Sequence, residues 1–184
     1  MCKGNGKMAG KALKVGVVLG SDSDLSIMKG CIKTLDSFHI PYELRIISAH
    51  RTPKTAAEFA SGARESGFGA IIAAAGKAAH LAGVLAAHTT LPIIAVPIKT
   101  SALEGLDSLL STVQMPKGVP VATVAIDGAE NAAILAAQIL SLSDTAIEDA
   151  LSDAKRAMER EVIAKDLSAA NLLEVMLKNR KDGK

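Results

Sequence analysis

Apolar positions along the chain fall into short runs of two kinds. Residues 15–19 form a Val-rich run that stops at Gly20, the pattern of a strand buried on both faces. A helix is expected over residues 25–38. Pro41 opens a second strand at 43–47. A helix then follows Pro53, with Ala56, Ala57, Phe59, Ala60 and Ala63 at helical spacing, and ends near Gly67. Residues 69–75 read as a third strand, 78–87 as a small-residue helix and 92–96 as a fourth strand. A polar loop from Pro97 leads to a short helix around 106–110 and a turn at 115–118, then a fifth strand at 121–126 and a helix over 129–142.

Strands alternating with helices imply βαβ units, and right-handed crossovers place the helices on both faces. The expected fold class is α/β: a three-layer, doubly wound parallel sheet. Gly16, Gly20 and Gly76, with the Ala-rich helices, point to very close approach between helices and strands. From Asp144 the chain becomes strongly charged. Ile147, Leu151, Ala154, Met158 and Val162 form a helical stripe on a solvated rod, which reads as a subunit contact. The organisation is therefore a tail at 1–13, an α/β domain at 14–143 and a long C-terminal helix at 144–184.

Composition removes several classes of function. The 184 residues suffice for one domain, and 49% hydrophobic against 22% charged residues marks a globular chain. Aromatics are 2%, too few for stacking platforms that bind single-stranded nucleic acid. Net charge is +2, and the only basic cluster is Lys3, Lys7, Lys11 and Lys14, so nucleic acid is not an expected partner. That tail is Gly-rich without an apolar core, hence no signal peptide. The apolar stretches are broken by Gly, Pro, His and Thr, so no membrane span is expected. Cys2 lies in the tail. Cys31 shares an apolar helix face with Ile27, Met28, Ile32 and Leu35, as a buried free thiol suited to a reducing cytoplasm.

The candidate chemistry sits at strand ends. Ser48, Ala49, His50, Arg51, Thr52 and Pro53 stand where the second strand becomes a helix; Thr52 and Pro53 serve as N-cap and first helical residue, which leaves His50 and Arg51 unexplained. Gly20, Ser21, Asp22, Ser23 and Asp24 follow the first strand, as a capping segment or as a seat for a sugar phosphate. Gly76, Lys77, Ala78, Ala79, His80 and Leu81 follow the third. In a parallel sheet these loops open on one edge, where ligands bind. His39 and His88 read as structural. Gly76 and Lys77 are followed by Ala78, so no Walker loop is present, and no His, Cys or Asp grouping has metal-ligand spacing. Neither a cofactor nor a metal is expected.

These motifs, with Asp107 to Ser111 and Gln114 to Pro116 in the same order and spacing, closely resemble the class I N5-carboxyaminoimidazole ribonucleotide mutases, the catalytic-subunit family of phosphoribosylaminoimidazole carboxylase. The resemblance covers roughly residues 14–142. It implies a flavodoxin-like fold, a homo-octamer with sites near subunit contacts, and a ribonucleotide substrate. The implied reaction belongs to purine biosynthesis and turns a carbamate into a carbon-bound carboxylate without ATP or metal. An ATP-dependent synthetase would supply the carbamate. By resemblance, His50 is the general acid/base. Ser21, Asp24 and Arg51 match substrate-binding positions, with Ser23, Ser48 and Ala49 beside them, while Gly76, Ala79, His80 and Leu81 match the loop around the reacting carboxyl group. The chain departs from the family pattern at Lys77, where a second glycine is expected, at Ala73 or Ala75, and at Asp127–Gly128. Two other readings stay open: direct carboxylation of aminoimidazole ribonucleotide by carbon dioxide, as in class II members, and a non-catalytic flavodoxin-like binding domain.

Overall fold

A computed structural model describes residues 12–181; Cys2 and all but the last two residues of the expected tail fall outside those described. The elements run β1 (Lys14–Leu19), α1 (Leu25–Ser37), β2 (Tyr42–Ile46), α2 (Pro53–Gly62), β3 (Phe68–Gly76), α3 (Leu81–Ala87), β4 (Ile93–Ile98), α4 (Leu106–Val113), β5 (Ala122–Thr123), α5 (Ala129–Ser141) and α6 (Thr145–Lys181). All strand pairs are parallel, in the order β2-β1-β3-β4-β5. That order is the flavodoxin-like doubly wound arrangement.

The central strands β1, β3 and β4 carry apolar residues without a polar alternation because both faces are covered, whereas the edge strand β2, with Glu43 and Arg45, is largely exposed. On one face Val15, Val17 and Leu19 of β1 join Ile72 and Ile94 and meet Met28, Cys31 and Leu35 of α1 and the alanines of α5. On the other, Val18, Ile71, Ala73 and Ile93 meet Ala56 and Ala60 of α2 and Leu81, Ala82 and Leu85 of α3. Ala132, Ala133, Ala136 and Ala137 are fully buried, so small side chains let α5 lie close to α1 and the sheet. Gly16 serves the same purpose, since a Cβ there would come within 3.2 Å of Phe59. Gly20 is less constrained, with only ordinary contact to Ala75. Burial pushes the Cys31 thiol up to about 12, which makes it inert as a nucleophile.

Several boundaries differ from those expected. β5 has two residues instead of six positions at 121–126: Val124 and Asp127 still donate to Ala95 and Pro97 at 3.0 and 2.9 Å, but Asp127 turns the chain at φ +57 before a ladder forms. The small-residue helix starts at Leu81 rather than 78, because Lys77 is left-handed at φ +57 and Ala78 to His80 form tight turns. His88 caps that helix at its C-terminus. α2 stops at Gly62, and turns closed by the Gly67 and Phe68 N–H groups lead to β3. α4 runs further than expected, to Val113.

α6 is a single helix whose first turns dock on the core through Ile147, Ala150, Leu151 and Ala154. The described side chains at 155–173 are all exposed, including Met158 and Val162 of the stripe.

Candidate active site

From β1 the chain goes to β2 on one side and β3 on the other, so a crevice opens beyond the carboxyl ends of these strands. A cavity of about 530 Å³ lies there. The loop after β1 contributes Ser21, Ser23 and Asp24 to its wall, and the loop after β2 contributes Ser48, Ala49, His50 and Arg51. From the β3 loop come Gly76, Lys77, His80 and Leu81. Of the catalytic and substrate-binding positions implied by the resemblance, Ala79 alone does not line the cavity; it is buried at 1% exposure beneath the loop.

The β2 loop is tied to itself. The Ser48 N–H donates to Thr52 Oγ1 at 3.0 Å, and that hydroxyl donates back to the Ser48 carbonyl at 3.0 Å. Thr52 was expected to cap α2 through its side chain, but the hydroxyl closes this loop instead and makes no capping bond. Ser48 Oγ accepts from the Arg51 N–H at 3.2 Å and stands 3.5 Å from Arg51 Nε. The turn thereby presents His50 and Arg51 as a fixed pair.

His50 Nε2 and His80 Nδ1 are 2.9 Å apart, with the rings edge to face at a centroid distance of 5.0 Å. One nitrogen must carry the hydrogen and the other accept it, so the tautomers of the two rings are coupled. Neither residue's neighbours in sequence point to the other; only the parallel alignment of β1, β2 and β3 brings them together.

The β1 loop is a short 3-10 turn over Asp22–Asp24. Ser21 Oγ and Asp22 Oδ1 both accept from the Ser23 N–H, so the capping duty falls on these two. Asp24 makes no capping bond to α1 and is only 6% exposed. Burial holds its carboxyl above the ordinary carboxylate range, with the nearby Asp22 charge adding; the Ser23 hydroxyl at 3.1 Å and a backbone bond at Ser21 oppose the shift. A raised value in the folded state means the ionised form costs stability. That cost is absent below the ordinary value of 3.8 and complete above the folded value, so stability falls as pH rises between them. Asp24→Asn is expected to unfold at a higher temperature than wild type at neutral pH, with the gain closing as pH drops through that window. A lower melting temperature for the variant at neutral pH would contradict this.

Thr100, which was not singled out in sequence, also lines the cavity. It follows β4, and Asp107 of α4 accepts its hydroxyl at 3.3 Å. Gly76 allows its approach, because a Cβ there would come within 2.9 Å of Thr100 Cγ2. The signal available was its position at the end of a fourth parallel strand. Among the described residues no three His, Cys, Asp or Glu side chains gather as metal ligands would. No helix among them is long and apolar enough to cross a membrane.

Fold and cavity together define a doubly wound α/β domain with a cavity at the switch point of its sheet. The family model described as AIR carboxylase matches residues 14–161. The N5-carboxyaminoimidazole ribonucleotide mutase of Pyrococcus abyssi is 57% identical over 147 residues, which are 80% of this chain and 84% of that protein. The phosphoribosylaminoimidazole carboxylase of Schizosaccharomyces pombe is 58% identical over 127 residues, 69% of this chain but 23% of that protein. A crystal structure of Treponema denticola PurE superposes with a TM-score of 0.75 at 28% identity, covering 84% of this chain and 96% of that one. The chain belongs to the AIR carboxylase family, which bears out the resemblance read from the motifs.

Proposed function

We propose that the chain converts N5-carboxyaminoimidazole ribonucleotide into 4-carboxy-5-aminoimidazole ribonucleotide in purine biosynthesis, with no ATP consumed and no metal required. The observation that carries this reading is the His50–His80 contact in the wall of a cavity whose polar lining is hydroxyls, Asp24, Arg51 and Lys77. The name of the Pyrococcus relative supports it.

The chemistry needs one proton, used twice. His50 gives a proton to the carbamate nitrogen as its bond to the carboxyl carbon breaks, which releases carbon dioxide into the cavity. The enamine-like ring carbon then attacks that carbon dioxide, and the proton on the ring carbon returns to His50. Atoms and charge balance without an external acid. A histidine titrates near neutrality, so it serves in both directions. Retaining carbon dioxide beside the ring replaces a bimolecular capture by a local one. His80, hydrogen-bonded to Nε2 of His50, sets which tautomer is ready. Arg51, with Ser48, Ser21 and Ser23, suits the phosphate through paired donors, and Asp24 suits ribose hydroxyls. Ala49, Gly76 and Leu81 close the apolar side around the transferred group, with Ala79 buried beneath the loop.

A second reading, direct carboxylation of aminoimidazole ribonucleotide by dissolved carbon dioxide, is favoured by the name of the yeast relative. Turnover of the purified chain with each nucleotide separates the two. The mutase reading expects rapid conversion of the carbamate and conversion of aminoimidazole ribonucleotide only at high bicarbonate. Efficient use of the latter at low bicarbonate selects the carboxylase. No turnover of either overturns both.

The carbamate is labile, so a reaction that spends ATP to form it must precede this step; an ATP-dependent carboxyaminoimidazole ribonucleotide synthetase fits. The assembly we propose is a homo-octamer in a reducing cytoplasm, a compartment that suits the free Cys31. Support for subunit contacts comes from the exposed Leu106, Leu110 and Val113 of α4 and the exposed Met158 and Val162 of α6, whereas Ile147, Leu151 and Ala154 of the expected stripe pack on the chain's own core instead. Light scattering is expected to give a mass of about eight chains. A monomer would contradict the contacts.

A further inference from the structure

We propose that Lys77 selects the carboxylated form of the ligand by pairing its ammonium with the carboxylate that is moved. The proposal rests on the reaction read above and names a specificity-determining residue within it.

Lys77 has φ +57, a backbone region that favours glycine. Among the described residues His39, Glu104 and Asp127 share this feature, and each has a visible structural reason. His39 closes the turn after α1 with its N–H on the Asp36 carbonyl at 3.0 Å. Glu104 pairs with Lys99, and Asp127 Oδ1 accepts the Lys99 N–H at 2.8 Å. Lys77 makes no side-chain hydrogen bond or ion pair among the described residues, yet it lines the cavity. Glycine would make the same turn without strain, so the strain is kept for what the side chain does.

Charge placement says what that is. Arg51 and Lys77 are the two Lys or Arg side chains lining the cavity, one on the β2 loop and one on the β3 loop. These loops meet at the His50–His80 contact, so each loop brings one cation to the cavity. A ribonucleotide carboxylated on its base also carries two anions, phosphate and carboxylate, separated by the ribose and the ring. The planar fork of Arg51 matches phosphate, and the compact ammonium of Lys77 matches the carboxylate. Carbon dioxide is neutral, so Lys77 holds the anionic forms before and after transfer and leaves the intermediate free to move.

The test is calorimetric titration of the full-length chain with 4-carboxy-5-aminoimidazole ribonucleotide and, separately, with 5-aminoimidazole ribonucleotide. Both carry the phosphate, and only the first carries the carboxylate. Lys77→Gly and Lys77→Met are each expected to weaken the carboxylated ligand about tenfold and to leave the other nearly unchanged, while Lys77→Arg restores most of the loss. Glycine adopts this backbone freely, so the first variant keeps the fold. Equal losses for both nucleotides, or no loss for either, would overturn the role of Lys77 alone. A wild-type chain that binds neither nucleotide would overturn the reaction reading and the proposal with it.

Discussion

His50→Asn is expected to bind the nucleotide with near-normal affinity and to lose turnover by about 10²–10⁴-fold, the usual weight of a positioned acid/base group. Asparagine offers a hydrogen-bonding amide near the imidazole position but cannot take up and return a proton. His50 is exposed at a loop end held by the Thr52 hydroxyl and the Ser48 backbone, so its replacement leaves the core untouched. The loss therefore falls on kcat, with KM little changed. Steady-state kinetics beside calorimetric binding separate the two. Retention of a near-normal rate would remove His50 from the proton transfer and leave the cavity as a binding site only. The variant also removes the imidazole that stands 2.9 Å from His80 Nδ1, so His80 loses this hydrogen-bond partner as well.

The largest loss of stability is expected from Ile72→Ala. Ile72 lies at the centre of β3, registers with Val17 of β1 and Ile94 of β4, and has no exposed surface. Its side chain fills the layer beneath α1 and α5, where the buried alanines leave little that can collapse into a gap. Removing three carbons there costs about 2–5 kcal/mol. Denaturant unfolding at one fixed protein concentration measures it, since association adds to apparent stability. Leu142→Ala is the control: that side chain is 88% exposed, and a change within about 0.5 kcal/mol is expected. A mild effect of Ile72→Ala would mean that the layer repacks, contrary to the close fit of α5.

Much of the fold could be read from spacing alone, because a doubly wound sheet gives each element a distinct period. β1, β3 and β4 are continuous apolar runs, and α1 and α5 carry clear helical faces. The alignment of three polar strand-end loops also followed from parallel strands, and ten of the eleven catalytic and substrate-binding residues implied by the resemblance line one cavity. What escaped depended on tertiary contacts. β5 looked like a full strand because Val121, Val124 and Ile126 are apolar, but its length is set by where Asp127 turns against Pro97. Residues 78–80 looked helical from their alanines, whereas Lys77 breaks the helical backbone just before them. The Thr52 hydroxyl has two competing uses, and sequence alone favoured the helix cap over the loop. Thr100 was overlooked although it follows a fourth parallel strand; its approach to the cavity depends on the missing Cβ of Gly76. The hydrogen bond between His50 and His80 spans strands β2 and β3, separated in the sheet by β1, and so is invisible to any local reading.

The most direct test of the central claim follows the carboxyl carbon itself. The carbamate nucleotide, labelled with carbon-13 in its carboxyl group, is turned over by the purified chain in unlabelled bicarbonate, and the product is read by mass spectrometry. If the cavity retains carbon dioxide between the two bond changes, the product keeps the label at early times. A product formed at the enzymatic rate but without label would mean that carbon dioxide escapes to solvent before capture, and the account of a closed transfer at His50 would be wrong.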